Sequence, residues 1–332
     1  MPVNSLKDAP RLLETDVSGE ENFITISNED GGTSSRHKVH RIAHQNRILL
    51  DQSHPDSHRD ITQLRSLVAL GCDIHGLVLH PSIKLLRVLA LERCTSPDIQ
   101  EYGRHWLEHL GTLVHLRCDE YTKVPDGFHQ KVTSLEELQI SVRMLSFESK
   151  RQFLKELGNH SLLRVLCVIG TVRLDESVQA ELLKSLGNLQ EPEHLDLDCN
   201  LLSGITPTST EWDKAVLSEH LRHLYIEGFR FPRVSSFIDP TLLPNLCYLE
   251  LCVDHMDEAG LRALGGLPDL RYLCIRLVDY GTTSYKQAAV VNIAAHDVLF
   301  LKLRSLKLYG WMVQLATNDD STSASLSIWR EE

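Results

Sequence analysis

A chain of 332 residues, 42% of them apolar, can bury a sizeable core as one large domain or two ordinary ones, and is too apolar to be disordered over most of its length. Its 34 Lys and Arg are diluted among 45 Asp and Glu, for a formal net charge of −11. That balance argues against a general binder of nucleic acid or of an anionic membrane, because phosphate recognition needs clustered cations.

No run of about eighteen apolar residues is present to span a bilayer. The opening MPVNSLKDAP lacks the basic-then-apolar pattern of a secretory signal, so a cytoplasmic location is expected. The eight cysteines, Cys72, Cys94, Cys118, Cys167, Cys199, Cys247, Cys252 and Cys274, contain no C-x-x-C pair and no zinc-site spacing. They read as single structural thiols in a reducing compartment. No metal and no cofactor is expected.

In chain order, residues 1–60 form a junction segment. Stretches 1–19 and 27–38 are polar and carry little periodic apolar signal, which predicts loose attachment, and Val39-x-x-Ile42-x-His44 is a degenerate first copy of a motif that follows. From there the pattern L-x-x-L-x-L returns at intervals that signal a solenoid. Clean copies begin at Leu86, Leu135, Leu163, Leu221, Leu246, Leu270 and Leu303. Weaker ones begin at Leu64, at Leu116 (with Asp119 at the middle leucine and Tyr121 at the last) and at Pro192. First positions are separated by 22, 30, 19, 28, 29, 29, 25, 24 and 33 residues. Residues 61–312 are therefore expected to hold about ten irregular repeats, and 313–332 a polar tail.

Leucines two apart in a short strand share one face, so stacked copies line one continuous core that no copy could bury alone. At the ninth position Cys72, Cys94 and Asn200 can bond to or pack beneath the turning backbone. A Leu-Gly pair precedes several copies, at Leu110-Gly111, Leu157-Gly158, Leu186-Gly187 and Leu264-Gly265. Each reads as a helix end. Helices are expected over 149–157, 175–186 and 257–264, with Gly158 taking the left-handed conformation that closes the first. The tract 279–296 interrupts the last interval and fits either a short helix or a buried strand. The fold class is α/β: a leucine-rich-repeat solenoid, with a curved parallel sheet on one side and helices or irregular segments on the convex side.

Residues 20–26, EENFITI, followed by 38–46, KVHRIAHQN, resemble the junction between the nucleotide-binding module and the repeats of plant intracellular nucleotide-binding disease-resistance proteins of the cereal type. Residues 85–94, LLRVLALERC, and 110–117, LGTLVHLR, are similar to that family's early repeats, and Val124-Pro125 to its apolar-Pro step after a strand. The resemblance spans residues 20–312. It implies a recognition domain in defence, binding a pathogen effector, a host target or a signalling domain held inactive. No G-x-x-x-x-G-K-[ST] phosphate loop is present, so the family's nucleotide switch is not implied, and the chain looks like a repeat-only fragment or a truncated relative.

No catalytic residue is expected. His105 and His109 share a helical face without a third metal ligand, and Gly31-Gly32 marks a loop rather than a phosphate cradle. Asp196 and Asp198 point the same way from a strand and read as a solvated acidic patch, since no oxygen-ligand loop follows.

Two features point to a partner. Arg65, Arg87, Arg117, Arg164, Arg222, Arg271 and Arg304 recur at the second position and predict an arginine edge. Third and fifth positions face outward. They include His223, Tyr225, Tyr248 and Tyr272, of which the three tyrosines predict an aromatic patch across consecutive repeats. Binding without bond chemistry is the expected activity, so the chain is read as no enzyme. An alternative is the substrate-recognition subunit of a ubiquitin ligase, which would need an adaptor-binding helical module that residues 1–60 do not display.

Overall fold

The structure, a computed structural model, describes residues 23–26, 41–45, 61–71, 83–94, 111–119, 128–130, 132–142, 145–170, 176–198, 212, 215–229, 231, 233–234, 237–254, 256, 258–277, 300–309 and 328–329. Thirteen strands lie in one open, curved sheet, all parallel and in strict chain order. They are β1 (Phe23–Ile26), β2 (Arg41–Gln45), β3 (Ser66–Leu70), β4 (Val88–Glu92), β5 (His115–Cys118), β6 (Glu137–Ser141), β7 (Val165–Ile169), β8 (His194–Asp198), β9 (His223–Glu227), β10 (Tyr248–Val253), β11 (Tyr272–Leu277), β12 (Ser305–Tyr309) and β13 (Ile328–Trp329). This is the expected leucine-rich-repeat solenoid. The sheet also continues beyond 61–312 on both sides, through β1 and β2 and through β13.

Leucines at the first, fourth and sixth positions fill the core almost without exposure up to β11, and in the last clean copy Leu306 is buried while Leu303 and Leu308 are half-buried, as the period of two and the end of the stack require. Strand pairing starts before the strands proper. The carbonyl of each second-position residue accepts two N–H bonds from the next repeat, in an unbroken ladder from Arg65 to Ser305. At the ninth position the Cys94 thiol donates to the Ala69 carbonyl at 3.4 Å, so it ties one turn to the previous repeat. Cys72 and Asn200 lie outside the described residues, as do His105, His109, Gly31, Gly32 and the tract 279–296.

One copy is out of register with its expectation. The strand at 115–118 places Leu113, Leu116 and Cys118 inward, all buried, and Leu116 pairs with Leu89 and Leu138 at the fourth position. The copy therefore begins at Leu113 and not at Leu116, and the intervals become 27 and 22 residues instead of 30 and 19. Cys118 stands where a leucine is usual, and a small buried thiol serves the core as a hydrophobe. Reading only leucines misses it.

Among the described residues three α-helices lie on the convex side: α1 (Phe147–Glu156), α2 (Glu176–Asn188) and α3 (Glu258–Gly265). Among the described residues none is long and apolar enough to cross a membrane. Ser146 caps α1 by accepting the Ser149 N–H at 3.1 Å. Phe153, Leu154 and Leu157 then face the core. Helices α1 and α2 are joined by Arg151, which bridges to Glu181 at 3.2 Å, and by Ser185, whose hydroxyl donates to the Lys155 carbonyl at 2.9 Å.

The glycine after Leu157 does not close α1 in a left-handed conformation. Among the described residues the left-handed positions are Gly71, Arg93, Gly170 and Gly228, each the eighth residue of its repeat, where the chain leaves the strand, together with Phe300, which lies before the last clean copy. Gly158 is needed for another reason. A Cβ there would lie 2.9 Å from the Ser185 carbonyl oxygen and 3.0 Å from Asn188 Cβ, so the close approach of α2 requires its absence. Gly158→Ala is expected to cost about 1–3 kcal/mol by overpacking. Gly187→Ala, whose new methyl would meet nothing nearer than 3.6 Å, is expected to be neutral or stabilising, by up to about 1 kcal/mol of helix propensity. Urea unfolding of the two variants tests the contrast in sign.

Candidate protein-binding face

Because the strands are parallel and in register, outward side chains form columns that run across the sheet. The third-position column reads Val165, His194, His223, Tyr248, Tyr272 and Ser305 from β7 to β12. Its four rings form one continuous stack. His194 lies 3.9 Å from His223 at 8°, His223 lies 3.9 Å from Tyr248 at 11°, and Tyr248 lies 4.3 Å from Tyr272 at 1°. The Lys307 ammonium continues the row, 5.3 Å from the Tyr272 ring centre. Strand spacing of about 4.8 Å imposes this face-to-face arrangement on flat rings placed opposite one another. Ring faces are therefore covered by neighbouring rings, and an incoming molecule meets edges and polar tips.

Tyr225 is not in the stack. It belongs to the fifth-position column, between Asp196 and Glu250, is only 6% exposed, and its hydroxyl donates to the Glu227 carboxylate. The expected patch of three tyrosines is thus two tyrosines and two histidines, because the third and fifth positions of one strand stand in different columns.

Beside the stack lies an acidic cluster held by one cation. Arg276, at the seventh position of β11, reaches Glu227 at 2.9 Å and Glu250 at 2.5 Å, and its guanidinium lies 5.6 Å from the Tyr309 ring centre. Burial by itself would lower the Arg276 guanidinium, but Glu250 and Glu227 outweigh it and hold it above its ordinary value. The Tyr248 hydroxyl donates to Glu250 at 2.8 Å, which ties the ring stack to the cluster.

Asp196 and Asp198 are not a solvated patch. Asp198 is buried and Asp196 half-buried. Burial, then the charges of Asp198, Glu250 and Glu227, push the Asp196 carboxyl up to about 7. Burial likewise lowers His194 to about 4, against an opposing pull from Glu137, and lowers His223 to about 3, with His194 adding to the effect. Both imidazoles are neutral at physiological pH.

The arginine edge is only partly continuous. Its column runs Arg65, Arg87, Val114, Glu136, Arg164, Glu193, Arg222, Cys247, Arg271 and Arg304. The arginines are all exposed, but two glutamates alternate with them at the centre, and Arg164 binds Glu193 through both Nε, at 3.0 Å, and a terminal nitrogen. Such surface pairs contribute little to stability. Arg222 and Arg271 flank the neutral Cys247. Arg117 does not belong to this edge. The corrected register of β5 puts it at the fifth position, on the strand face, where it bridges to Glu92 at 3.3 Å.

Sequence reading did not single out His194, Glu227 or Arg276. The fourth ring was signalled by aligning the copy at Pro192 with that at Leu221, which places His194 opposite His223. Glu227 and Arg276 sit one residue past the last leucine of the motif, so the motif itself hides them.

A stack of single-strand repeats whose outward columns form one long surface defines a solenoid fold. The profile of the leucine-rich repeat region family matches residues 108–321, more than half of the chain, and the protein belongs to that family. No curated protein matches it in sequence. Among solved structures it is similar to an internalin from Listeria monocytogenes, at 15% identity and a TM-score of 0.47, over 88% of this chain and 78% of that one. Leucine-rich repeat domains serve protein–protein interaction.

Proposed function

We propose that this protein is a cytoplasmic recognition domain of the plant disease-resistance type, which binds a pathogen-derived protein, a host target or a signalling domain through the strand face of β8 to β12. The ring stack carries the reading. Four stacked rings tied to a buried carboxylate form a rigid surface that loses little entropy on binding, which is what an interface anchor requires. Tyr248 and Tyr272, half-buried with accessible edges, are its centre, and Arg222 and Arg271 flank it as exposed cations for an acidic rim. Arg164 and Arg117, each already paired to a glutamate, contribute less. The residue similarity over 20–26, 38–46, 85–94 and 110–117 supports the disease-resistance reading. Free thiols at Cys118, Cys167, Cys247, Cys252 and Cys274 suit a reducing compartment.

The test is a pairwise binding screen against secreted pathogen proteins and plant nucleotide-binding modules, followed by calorimetry on each partner found. Tyr248→Ala with Tyr272→Ala is expected to weaken a true partner about tenfold to a hundredfold, since truncated interface anchors typically lose roughly 1–3 kcal/mol. Lys184→Ala, on the exposed side of α2, is expected to change nothing. A partner that tolerates the tyrosine pair but loses affinity with the helix variant would place recognition on the convex side and sink the proposal.

A further inference from the structure

A second constellation occupies the strand face between β7 and β8. Cys167 stands directly across from Asp196 in the fifth-position column, and His194 precedes Asp196 by two residues, so all three side chains leave the sheet on the same side. The Cys167 sulfur, one ring nitrogen of His194 and one carboxylate oxygen of Asp196 all lie within 4.8 Å of one another. Cys167 and His194 are buried and Asp196 is half-buried, so this is a recessed triangle with one accessible corner.

Zinc bonds of about 2.0–2.3 Å in tetrahedral geometry set ligand atoms roughly 3.5 Å apart, a closure within reach of side-chain rotation. One thiol, one imidazole and one carboxylate are the donors of a zinc-class ion. Calcium and magnesium take oxygen almost exclusively. The stacking of His194 on His223 uses the ring face and leaves its in-plane nitrogens available to a cation. The outside acids acting on the trio are Glu137, Asp198, Glu227 and Glu250; Arg276 bridges Glu227 and Glu250, and the Arg117 guanidinium is itself bridged to Glu92, so Glu137 and Asp198 supply the negative charge that Arg276 does not bridge. The local field therefore favours a cation.

We propose that Cys167, His194 and Asp196 form a three-ligand site for a divalent zinc-class cation, with its fourth coordination position open toward the strand face. The absence of C-x-x-C pairs does not bear on such a site. Its ligands come from two neighbouring strands, 27 and 29 residues apart, and are brought together only by the register of the sheet. The inference does not depend on which protein the surface recognises.

The full chain, stripped with a chelator and kept reduced, is titrated with cobalt(II) alone. One equivalent is expected to produce the visible bands of tetrahedral cobalt together with a thiolate-to-cobalt charge-transfer band. Zinc should bleach both and raise the melting temperature by mass action. Cys167→Ala is expected to abolish the charge-transfer band, and Asp196→Asn to weaken binding by about 100-fold or more, at or above the effect of outer-shell changes. Cys274→Ala, a thiol of the same column four strands from Cys167, should leave the spectrum unchanged. Far-ultraviolet circular dichroism confirms that each variant is folded, and Asp196→Asn decides the case if Cys167→Ala is not. Octahedral spectra without charge transfer, or a band that survives Cys167→Ala, overturns the site.

Discussion

Trp212→Ala is expected to destabilise the solenoid by about 3–5 kcal/mol, the range for deleting a large buried aromatic side chain. Trp212 is fully buried in the connection between β8 and β9. It packs edge-on against Phe229 and Phe231, with centroids 5.2 and 5.6 Å away at 71° and 87°, and tilted against Phe237 at 5.4 Å. Phe231 also forms a bridge with Val253, so the aromatic plug fastens the turn after β9 to the end of β10. The four rings fill the space behind these strands that α1 and α2 fill behind β6 to β8. Because each repeat leans on its neighbours, the loss should be local. Hydrogen exchange should quicken in β8 to β10 well before β3 to β5. The indole N–H has no acceptor among the described residues. Trp212→Phe, which removes that buried donor and keeps a ring, should therefore cost well under half as much. A loss below about 1 kcal/mol for the alanine variant would show that the plug is not structural.

Acidification is the second large effect, and three groups with opposed signs set it. His194 and His223 titrate in the unfolded chain near 6.5 but in the fold only at about 4 and about 3. Their contribution is intact above pH 6.5 and is lost as the pH falls toward 4, because the unfolded chain takes up protons that the fold refuses. Asp196 runs the other way. Its carboxyl titrates at about 7 in the fold against 3.8 unfolded, so it destabilises most above pH 7 and that penalty is relieved on acidification.

Between pH 6.5 and 4 two protons therefore favour the unfolded chain and one favours the fold. The net is one proton, or about 1.4 kcal/mol per pH unit. Over that window the metal-free protein, held in chelator, should lose about 3 kcal/mol from these groups. The surrounding charges are Glu137, Asp198, Glu227 and Glu250, with Arg276 bridging the last two, and all are common to wild type and variants. His194→Phe with His223→Phe keeps the ring stack and should remove the acid loss attributable to these groups. Asp196→Asn should add stability at pH 8 and none near pH 4. Denaturant midpoints across pH read all three proteins. Parallel pH profiles for wild type and the double histidine variant would show that the imidazoles are not recessed as described.

Much of the site was legible before any coordinates, within limits that have physical causes. The period-two pattern assigns Tyr248 and Tyr272 to the outward face, and their equal offset from Leu246 and Leu270 puts them in one column. Tyr225 has the same outward parity but stands two residues further along its strand, so only register separates it from the stack. The β5 copy failed for a different reason. Counting leucines skips Cys118, although a thiol buries as readily. Gly158 was identified as special, yet its role is proximity to Ser185 and not a left-handed turn.

Sequence alone determined the repeat, the parallel sheet it demands and the face on which polar residues collect, because these follow from side-chain alternation and from leucines that no single copy can bury. The tertiary structure decided which residues meet. His194 beside His223, Arg276 between Glu227 and Glu250, and Cys167 against Asp196 each join residues from different repeats. Intervals of 22 to 33 residues make such meetings invisible along the chain, and strand register sets them at about 4.8 Å.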